Sequence, residues 1–347
     1  MKNKKIFVLF LVLIIAWLIF ITYNQLFKKE EDVTSEISEY TITGISSDLT
    51  KVVESNKTAI VSIEQDGNVS TGFIYNKIDS DLYIVTCLHS VQGQGEINAY
   101  LNNGAKFKCE IYGEDVHLDL ALLKCECPYD VLPIEFGDSK LAKDGEFVIS
   151  IGTCNSLKYD FSSQFGMISS KYREIENDVT YKKENYNYNL AMIQLSGEFK
   201  SGYSGAPVFN MMGQVIGVIS SKDDDVTLAC TANETKMVLN KLLNNEEYYR
   251  LDIGITGQYI SELENYEKIN LNIGLDVVEG YFVDNVKVGS FASNIGITKG
   301  DIILSINQLP IKDFDSMLEV MYSNQKEYVF SIIRNNETQE IIGTIND

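Results

Sequence analysis

Ten short apolar or alternating runs fill the chain between Thr58 and Ser221. Each has the length of a strand, is rich in Val and Ile, and ends at Gly, Asp, Asn or Ser. The runs are AIVSIEQ, STGFIYN, DLYIVTCLHSV, KFKCEIYG, LDLALLKCE, EFVISIGT, GMISSKY, LAMIQLSG, APVFN and QVIGVISS. Since no long helical pattern separates them, they predict a mainly β region, built as an antiparallel barrel or sandwich.

The region after these runs changes period. NETKMVLNKLLNNEEYY, residues 233–249, has Leu and Val at helical spacing and predicts a helix capped by Asn. Beyond Arg250 the chain is long enough for one further small domain. Within it, GDIILSINQLPI predicts a strand, a turn and a return, and DFDSMLEVMYS predicts a helix.

The N-terminus has a different pattern. Residues 6–21 carry no charge, and extension to Phe27 gives roughly the ~20 apolar residues that cross a bilayer. A cleaved signal peptide is the competing interpretation, but no small-x-small cleavage site follows. We therefore predict an uncleaved anchor over residues 1–27, with the lysines of MKNKK cytoplasmic and the bulk of the chain outside the cytoplasm, at the cell membrane.

The polar residues 28–45 predict a tether, and SSDLTKVVESN predicts a short helix with Ser47 or Asp48 as its N-cap. Two domains follow, with boundaries predicted at 46–249 and 250–347.

Composition narrows the function classes. The formal net charge of −20 argues against nucleic acid as a partner, because phosphate binding needs clustered Lys and Arg. Six cysteines permit disulfides outside the cytoplasm, and free buried thiols are the equal alternative. The chain has two histidines and no Cys-x-x-Cys pair, so no metal or cofactor is expected.

The stretch FKSGYSGAPVF predicts the chemistry. Gly202 and Gly205 bracket Ser204, and a serine nucleophile needs both a base and amide donors for the oxyanion. The amides of Gly202 and Ser204 lie on either side of Tyr203 and are the predicted donors. Taken alone, such a Gly-x-Ser-Gly stretch is usually only a turn.

A base and an orienting acid precede this loop. His89 follows the apolar run DLYIVTCLHSV, whereas His117 lies among acids and is predicted to be an exposed loop residue. Asp119 opens a leucine-rich strand, where a carboxylate needs a partner, and Asp115 is the fallback. The order His89, Asp119, Ser204 is the order found in chymotrypsin.

Several collinear motifs then resemble the HtrA (DegP-like) family of serine endopeptidases. STGFIYN, VTCLHSV, LDLALLKC, FGDSKLAKDGEFVISIGT and FKSGYSGAPVFNMMGQVIGVIS are similar to successive family segments, from about Lys51 onward. The resemblance implies a membrane anchor, a trypsin-like double β-barrel and a C-terminal PDZ domain. It implies His89 as base, Asp119 as orienter and Ser204 as nucleophile.

The resemblance also implies an S1 pocket walled by Phe199 and facing residues 218–220, with Val218 and Ser220 in it. It implies trimers and substrates that are unfolded or misfolded polypeptides, cleaved in protein quality control. The chain departs from the family at Ser90, Tyr203 and Ala206. The alternative function is a catalytically silent barrel that binds peptides through its PDZ domain.

SFASNIGITKGDIILSINQLPI is similar to the corresponding PDZ segment of this family. The loop for a peptide carboxylate is then DIGI, in which Ile253, Gly254 and Ile255 supply the backbone and the peptide adds a strand. Asp252 stands where the family often has Tyr, and its carboxylate is expected to repel a peptide C-terminus.

Overall fold

The computed structural model describes residues 49–181, 184–197, 199–223 and 226–345. Helix α1 includes residues 49–56, as the pattern of SSDLTKVVESN predicts, and a compact unit begins at Val53. The predicted anchor, the tether and the two candidate caps of α1 lie outside the described residues. Within the described ranges, no helix combines the length and the apolar character that a bilayer crossing needs.

The first six strands close into a barrel in the order β1-β2-β3-β6-β5-β4. All six strand pairs are antiparallel, and Val61 of β1 pairs with Leu101 of β4 to close the ring. Aliphatic side chains and three cysteines fill the interior. The strands are β1 Ile60–Gln65, β2 Asn68–Ile78, β3 Asp81–Cys87, β4 Ile97–Leu101, β5 Lys106–Asp115 and β6 Leu120–Glu126.

A second six-stranded barrel follows in the order β10-β11-β12-β9-β8-β7. This double barrel confirms the predicted mainly β, trypsin-like architecture, while the predicted transmembrane helix lies outside the described residues. The strands are β7 Phe147–Gly152, β8 Ser162–Tyr181, β9 Glu184–Ser196, β10 Pro207–Phe209, β11 Val215–Asp223 and β12 Val226–Thr231. The helix predicted after the barrel is α2, Ala232–Leu243, but its N-cap is Thr231, and Asn233 instead donates to Asp138 and Asp315.

The C-terminal domain is a six-stranded sheet of order β13-β14-β15-β17-β18, with β16 paired to β15. Helix α5 begins at the capping box of Asp313 and Ser316, where DFDSMLEVMYS predicts it. The elements are β13 Ile255–Tyr259, α3 Asn265–Asn270, β14 Tyr281–Val286, α4 Phe291–Ile295, β15 Ile302–Ile306, β16 Leu309–Pro310, α5 Phe314–Met321, β17 Glu327–Arg334 and β18 Glu337–Thr344. Single-turn 3-10 helices occupy Lys57–Ala59, Leu88–Val91, Ser139–Leu141, Leu157–Tyr159 and Ile260–Glu262.

A buried ion pair joins the C-terminal domain to the barrels. Arg250 Nε donates to Glu234 Oε1 of α2 over 3.0 Å, and both side chains are 1% exposed. Tyr322 Oη donates to the same carboxylate oxygen over 3.0 Å. Because a buried carboxylate is costly unless it is fully partnered, this cluster holds α2 and the C-terminal domain together.

Of the two alternatives for the cysteines, disulfides and free buried thiols, the structure shows free thiols. All six cysteines are free, and five of them are buried. Cys109, Cys125 and Cys127 lie in the core of the first barrel.

Candidate active site

Thr71, on β2 of the first barrel, holds the predicted nucleophile loop. Its Oγ1 donates to Gly202 O over 2.7 Å, and its N–H donates to Ser204 O over 3.0 Å. The same Oγ1 accepts from Thr153 N, just after β7 of the second barrel, over 2.8 Å. One fully buried hydroxyl thus ties both barrels to the loop that carries Ser204.

Glycine is required on both sides of Ser204. Gly202 has φ +96° and Gly205 has φ +83°, in the left-handed region that strains other residues. A Cβ on Gly202 would lie 2.1 Å from Thr153 O, and one on Gly205 would lie 2.2 Å from Thr71 O. Glycine is therefore needed at both positions, because the loop backbone there lies in close contact with both barrels.

Tyr203 is a structural member of the loop. It is 3% exposed, its hydroxyl donates to Ser162 O over 2.8 Å, and its ring meets Phe199 edge-on at 5.9 Å. Gly152 makes room for it, since a Cβ there would lie 3.0 Å from the ring. Burial raises the pKa of Tyr203 to about 12, so its hydroxyl remains a hydrogen-bond donor. An anchored aromatic side chain holds the loop at this departure from the family.

His89 and Asp119 form a bidentate pair. His89 lies in the 3-10 turn Leu88–Val91 that ends β3, and its Nδ1 is 2.5 Å from Asp119 Oδ2. Its backbone N–H donates to Asp119 Oδ1 over 2.8 Å. The hydrogen bond to Asp119 raises the pKa of His89 above its ordinary value, against the lowering effect of burial. Nδ1 therefore faces the acid, which directs Nε2 away from it.

Ser220 and Cys87 complete the surroundings of this pair. Ser220 Oγ donates to Asp119 Oδ2 over 3.3 Å, a contact that the sequence pattern did not indicate. Cys87 is buried behind His89 with its Sγ 3.2 Å from Ile219 O, and burial raises the pKa of its thiol well above the ordinary value. Cys87 Sγ, a ring nitrogen of His89 and an Asp119 oxygen lie within 4.8 Å of one another. The His89–Asp119 hydrogen bond accounts for this proximity without a metal.

The backbone next to Ser204 lies close to the residues that flank the His89–Asp119 pair. Gly205 N donates to Ile219 O over 2.7 Å, and a Cβ on Gly205 would lie 2.9 Å from Cys87 N. Among the described residues, Ser204 Oγ has no hydrogen bond to His89, and the N–H groups of Gly202 and Ser204 have no protein acceptor. Catalytic hydrogen bonds are commonly long or misaligned in ligand-free enzymes and tighten with substrate.

The two alternative residues lie elsewhere. Asp115 does not approach His89; its carboxylate accepts from Leu118 N over 2.7 Å and from Tyr248 Oη over 2.6 Å. His117 was predicted to be exposed, but its side chain is 23% exposed and its Nδ1 lies 3.8 Å from Asp115 Oδ2. Within the described chain, Asp119 is the carboxylate that meets His89.

The predicted S1 residues are buried around the loop. Phe199 is 3% exposed and packs in the second-barrel core with Tyr203, while Val218 is fully buried in β11. Ser220 directs its hydroxyl to Asp119, so its side chain supports the His89–Asp119 pair. The assignment of these residues to a substrate pocket stays a prediction.

The predicted peptide loop opens a groove of about 210 Å³ between β13 and α5. Ile253, Gly254 and Ile255 line it together with Phe314, Met317 and Met321, and Glu174 of β8 lies at its edge. Asp252 Oδ1 accepts from Gly254 N over 3.1 Å. The carboxylate of Asp252 thus already occupies one amide of the loop that the sequence predicts for a peptide carboxylate.

Comparison with known proteins agrees with this architecture. Residues 70–218 match the model of the trypsin-like peptidase domain, and residues 253–326 match that of the PDZ domain. The chain is 27% identical over 292 residues to the "Serine protease Do-like HtrA" of Lactococcus lactis subsp. lactis (strain IL1403), covering 80% of this chain and 71% of that protein. It is 28% identical over 287 residues to the "Serine protease Do-like HtrB" of Bacillus subtilis (strain 168), covering 79% of this chain and 61% of that protein.

A solved structure of the HtrA-type protease AlgW with a tripeptide has the same fold. Its TM-score is 0.60 at 18% identity, over 85% of this chain and 95% of the other. The double barrel and these matches define the class of the chain as that of the serine endopeptidases. The chain belongs to the HtrA family.

Replacement of Thr71 by Val is expected to disable the loop. The isosteric change leaves Gly202 O and Thr153 N without their partner, at about 1–3 kcal/mol for each buried group. We expect a lower free energy of unfolding in urea and about a tenfold slower labelling of Ser204 by a fluorophosphonate. Thr71→Ser, which keeps the hydroxyl, is the control. Labelling of the Val variant at the rate of the unchanged chain would contradict this role.

The pH profile of kcat/KM is expected to report the His89–Asp119 pair. His89 accepts the serine proton only when neutral, so activity falls as pH drops through its pKa. Since that pKa is raised, the midpoint of the acid limb should lie above 6.5. Asp119→Asn should move the midpoint to lower pH and reduce kcat by about 10⁴-fold. A midpoint at or below 6.5 in the unchanged chain argues against the pairing.

Proposed function

We propose that the protein is a membrane-tethered, extracytoplasmic endopeptidase that cleaves unfolded polypeptides through Ser204, His89 and Asp119. The observation that carries the proposal is the bidentate His89–Asp119 pair, which lies against the backbone of the Ser204 loop. This pairing orients the imidazole so that Nε2 is available to the serine hydroxyl.

The reaction follows acyl transfer. Ser204 Oγ attacks the scissile carbonyl while His89 Nε2 takes its proton, and the amides of Gly202 and Ser204 donate to the oxyanion. The protonated imidazole, stabilised by Asp119, returns the proton to the leaving amine. A water molecule, deprotonated by His89, then hydrolyses the ester and regenerates the serine. Tyr203 holds the two amides in place through its hydrogen bond to Ser162 O.

The substrate class and the location are proposed from the relatives and from the N-terminal sequence. The HtrA relatives support polypeptide substrates, and protein quality control is proposed from the family resemblance alone. The uncharged run 6–21 after MKNKK supports a single-pass anchor with a cytoplasmic N-terminus. A trimer is likewise proposed from the family.

Peptide binding is proposed for the groove between β13 and α5. The structurally similar protease AlgW was solved with a tripeptide, which supports peptides as ligands of such proteins. Phe314, Met317 and Met321 offer apolar contacts for an added strand, and the loop Ile253–Ile255 lies at one end. Asp252 sets the charge of that end.

Ser204→Ala is expected to abolish cleavage of casein and labelling by a fluorophosphonate, because it removes the proposed nucleophile from the loop between Gly202 and Gly205. Ser201→Ala, in the same loop, is the control and should retain both. Labelling is measured with and without unfolded protein present. Equal casein cleavage by the unchanged chain and the Ser204→Ala variant rules the assignment out. Absence of labelling under both conditions favours the silent, peptide-binding alternative.

Asp252→Asn is expected to strengthen binding of peptides with a free C-terminal carboxylate. The change removes like-charge repulsion at the loop, and we expect about a tenfold lower Kd, equivalent to ~1.4 kcal/mol. Fluorescence anisotropy on the Ser204→Ala background measures this without cleavage. The same peptide with a C-terminal amide is the control and should bind both proteins alike. An equal gain for both peptides shows that charge repulsion is not the cause.

A further inference from the structure

The carboxylate of Asp115 accepts a hydrogen bond from within the turn that carries Asp119. Asp115 ends β5 and pairs in register with Leu120, the first residue of β6. Its Oδ1 accepts from Leu118 N over 2.7 Å, within the four-residue turn between the strands. Asp119 follows with φ +54°, and its carbonyl accepts from Leu88 N over 2.9 Å. The position of the Asp115 carboxylate therefore sets the direction in which Asp119 leaves the turn.

Asp115 depends on partners because it is almost completely buried, at 2% side-chain exposure. Burial alone would raise its pKa, but His117, the hydroxyl of Tyr248 and the N–H of Leu118 outweigh that effect and lower it. Tyr248 Oη donates to Oδ2 over 2.6 Å, on the carboxylate oxygen opposite the one that caps the turn. Loss of this donor leaves a buried anion under-solvated, which shifts the carboxylate or its charge state.

Tyr248 belongs to the segment that connects the barrels to the C-terminal domain. Its ring lies 5.9 Å from that of Tyr322, a buried residue directly after α5. Tyr322 in turn donates to Glu234, the partner of Arg250. The neighbouring backbone is fixed as well, since Leu251 N donates to Met321 O over 2.8 Å. The place of Tyr248 is thus set by the packing of the C-terminal domain on α2.

We propose that Tyr248 is a positioning residue for catalysis. Docking of the C-terminal domain places its hydroxyl on Asp115, and Asp115 holds the turn that aligns Asp119 with His89. The proposal rests on the proposed endopeptidase function, and it couples the domain interface to the catalytic carboxylate through Tyr248, the carboxylate of Asp115 and the backbone of the turn. If Tyr248 had only a structural role, loss of its hydroxyl would lower the stability of the protein and leave the His89–Asp119 pair unchanged.

The test is Tyr248→Phe in the full-length chain, which removes only the hydroxyl. Tyr249→Phe is the matched control, because that ring is 53% exposed and neighbours the same segment. We expect kcat on a peptide substrate to fall about tenfold with KM unchanged. The acid limb of the kcat/KM profile should move to lower pH, because a displaced Asp119 raises the pKa of His89 less. The control should match the unchanged chain in all three quantities.

The titratable groups around Asp115 must be considered in that profile. They are His117, Cys230, Tyr248, Arg250 and Tyr322, and Glu234 adjoins the last two. His117→Asn removes the second histidine of the chain from this profile. With His117→Asn as background, the shift produced by Tyr248→Phe should persist, which assigns it to His89.

A second measurement is independent of turnover. The proton on His89 Nδ1, shared with Asp119, gives a far-downfield proton NMR signal that disappears in Asp119→Asn. Tyr248→Phe should shift or broaden this signal, while Tyr249→Phe should not. Unchanged kcat, acid limb and signal in Tyr248→Phe overturn the proposal, whatever its unfolding midpoint. If the unchanged chain proves inactive, the proposed function fails, and the signal alone still decides the role of Tyr248.

Discussion

The buried hydroxyl of Thr71 is the contact on which the active site depends. Thr71 belongs to the first barrel, and its hydroxyl forms hydrogen bonds with both Gly202 O and Thr153 N of the second barrel. Thr86 Oγ1 donates to Thr71 O over 2.7 Å, which links the same residue to β3 and thereby to His89. A buried polar group of this kind is stable only when every partner is present, so the barrels and the loop form as one arrangement.

One departure from the family, Tyr203, becomes understandable from this arrangement. The residue before the nucleophile needs to fix the loop, and a polar side chain is one way to do so. Tyr203 does so by burial of its ring against Phe199 and by one hydrogen bond to Ser162 O. Its bulk is accommodated by Gly152, a residue of β7. A substitution within the loop is thus matched by a small residue on a neighbouring strand.

Sequence alone predicts the parts of the site that carry local patterns. The alternating runs predict the strands, the helical spacing in residues 233–249 predicts α2, and the glycines beside Ser204 predict the tight loop. The contacts between Ser220 and Asp119 and between Tyr248 and Asp115 have no such pattern, because they join residues 101 and 133 positions apart. The N-cap of α2 was misassigned because Asn233 is used in tertiary contacts with Asp138 and Asp315.

The connection between the two folded parts is more than a spacer. Within seven residues, from Tyr248 to Gly254, it supplies a hydrogen-bond donor to Asp115, the cation of a buried ion pair and the first lining residues of the groove between β13 and α5. Because Arg250 is fixed to α2, the loop Ile253–Ile255 cannot move freely against the barrels without breaking a buried charge pair. A ligand that shifts this loop therefore acts on a segment that is bonded to Glu234 at Arg250 and to Asp115 at Tyr248. The same residues that make the C-terminal domain part of the folded body also place the predicted peptide loop a short distance along the chain from Tyr248, whose hydroxyl donates to Asp115.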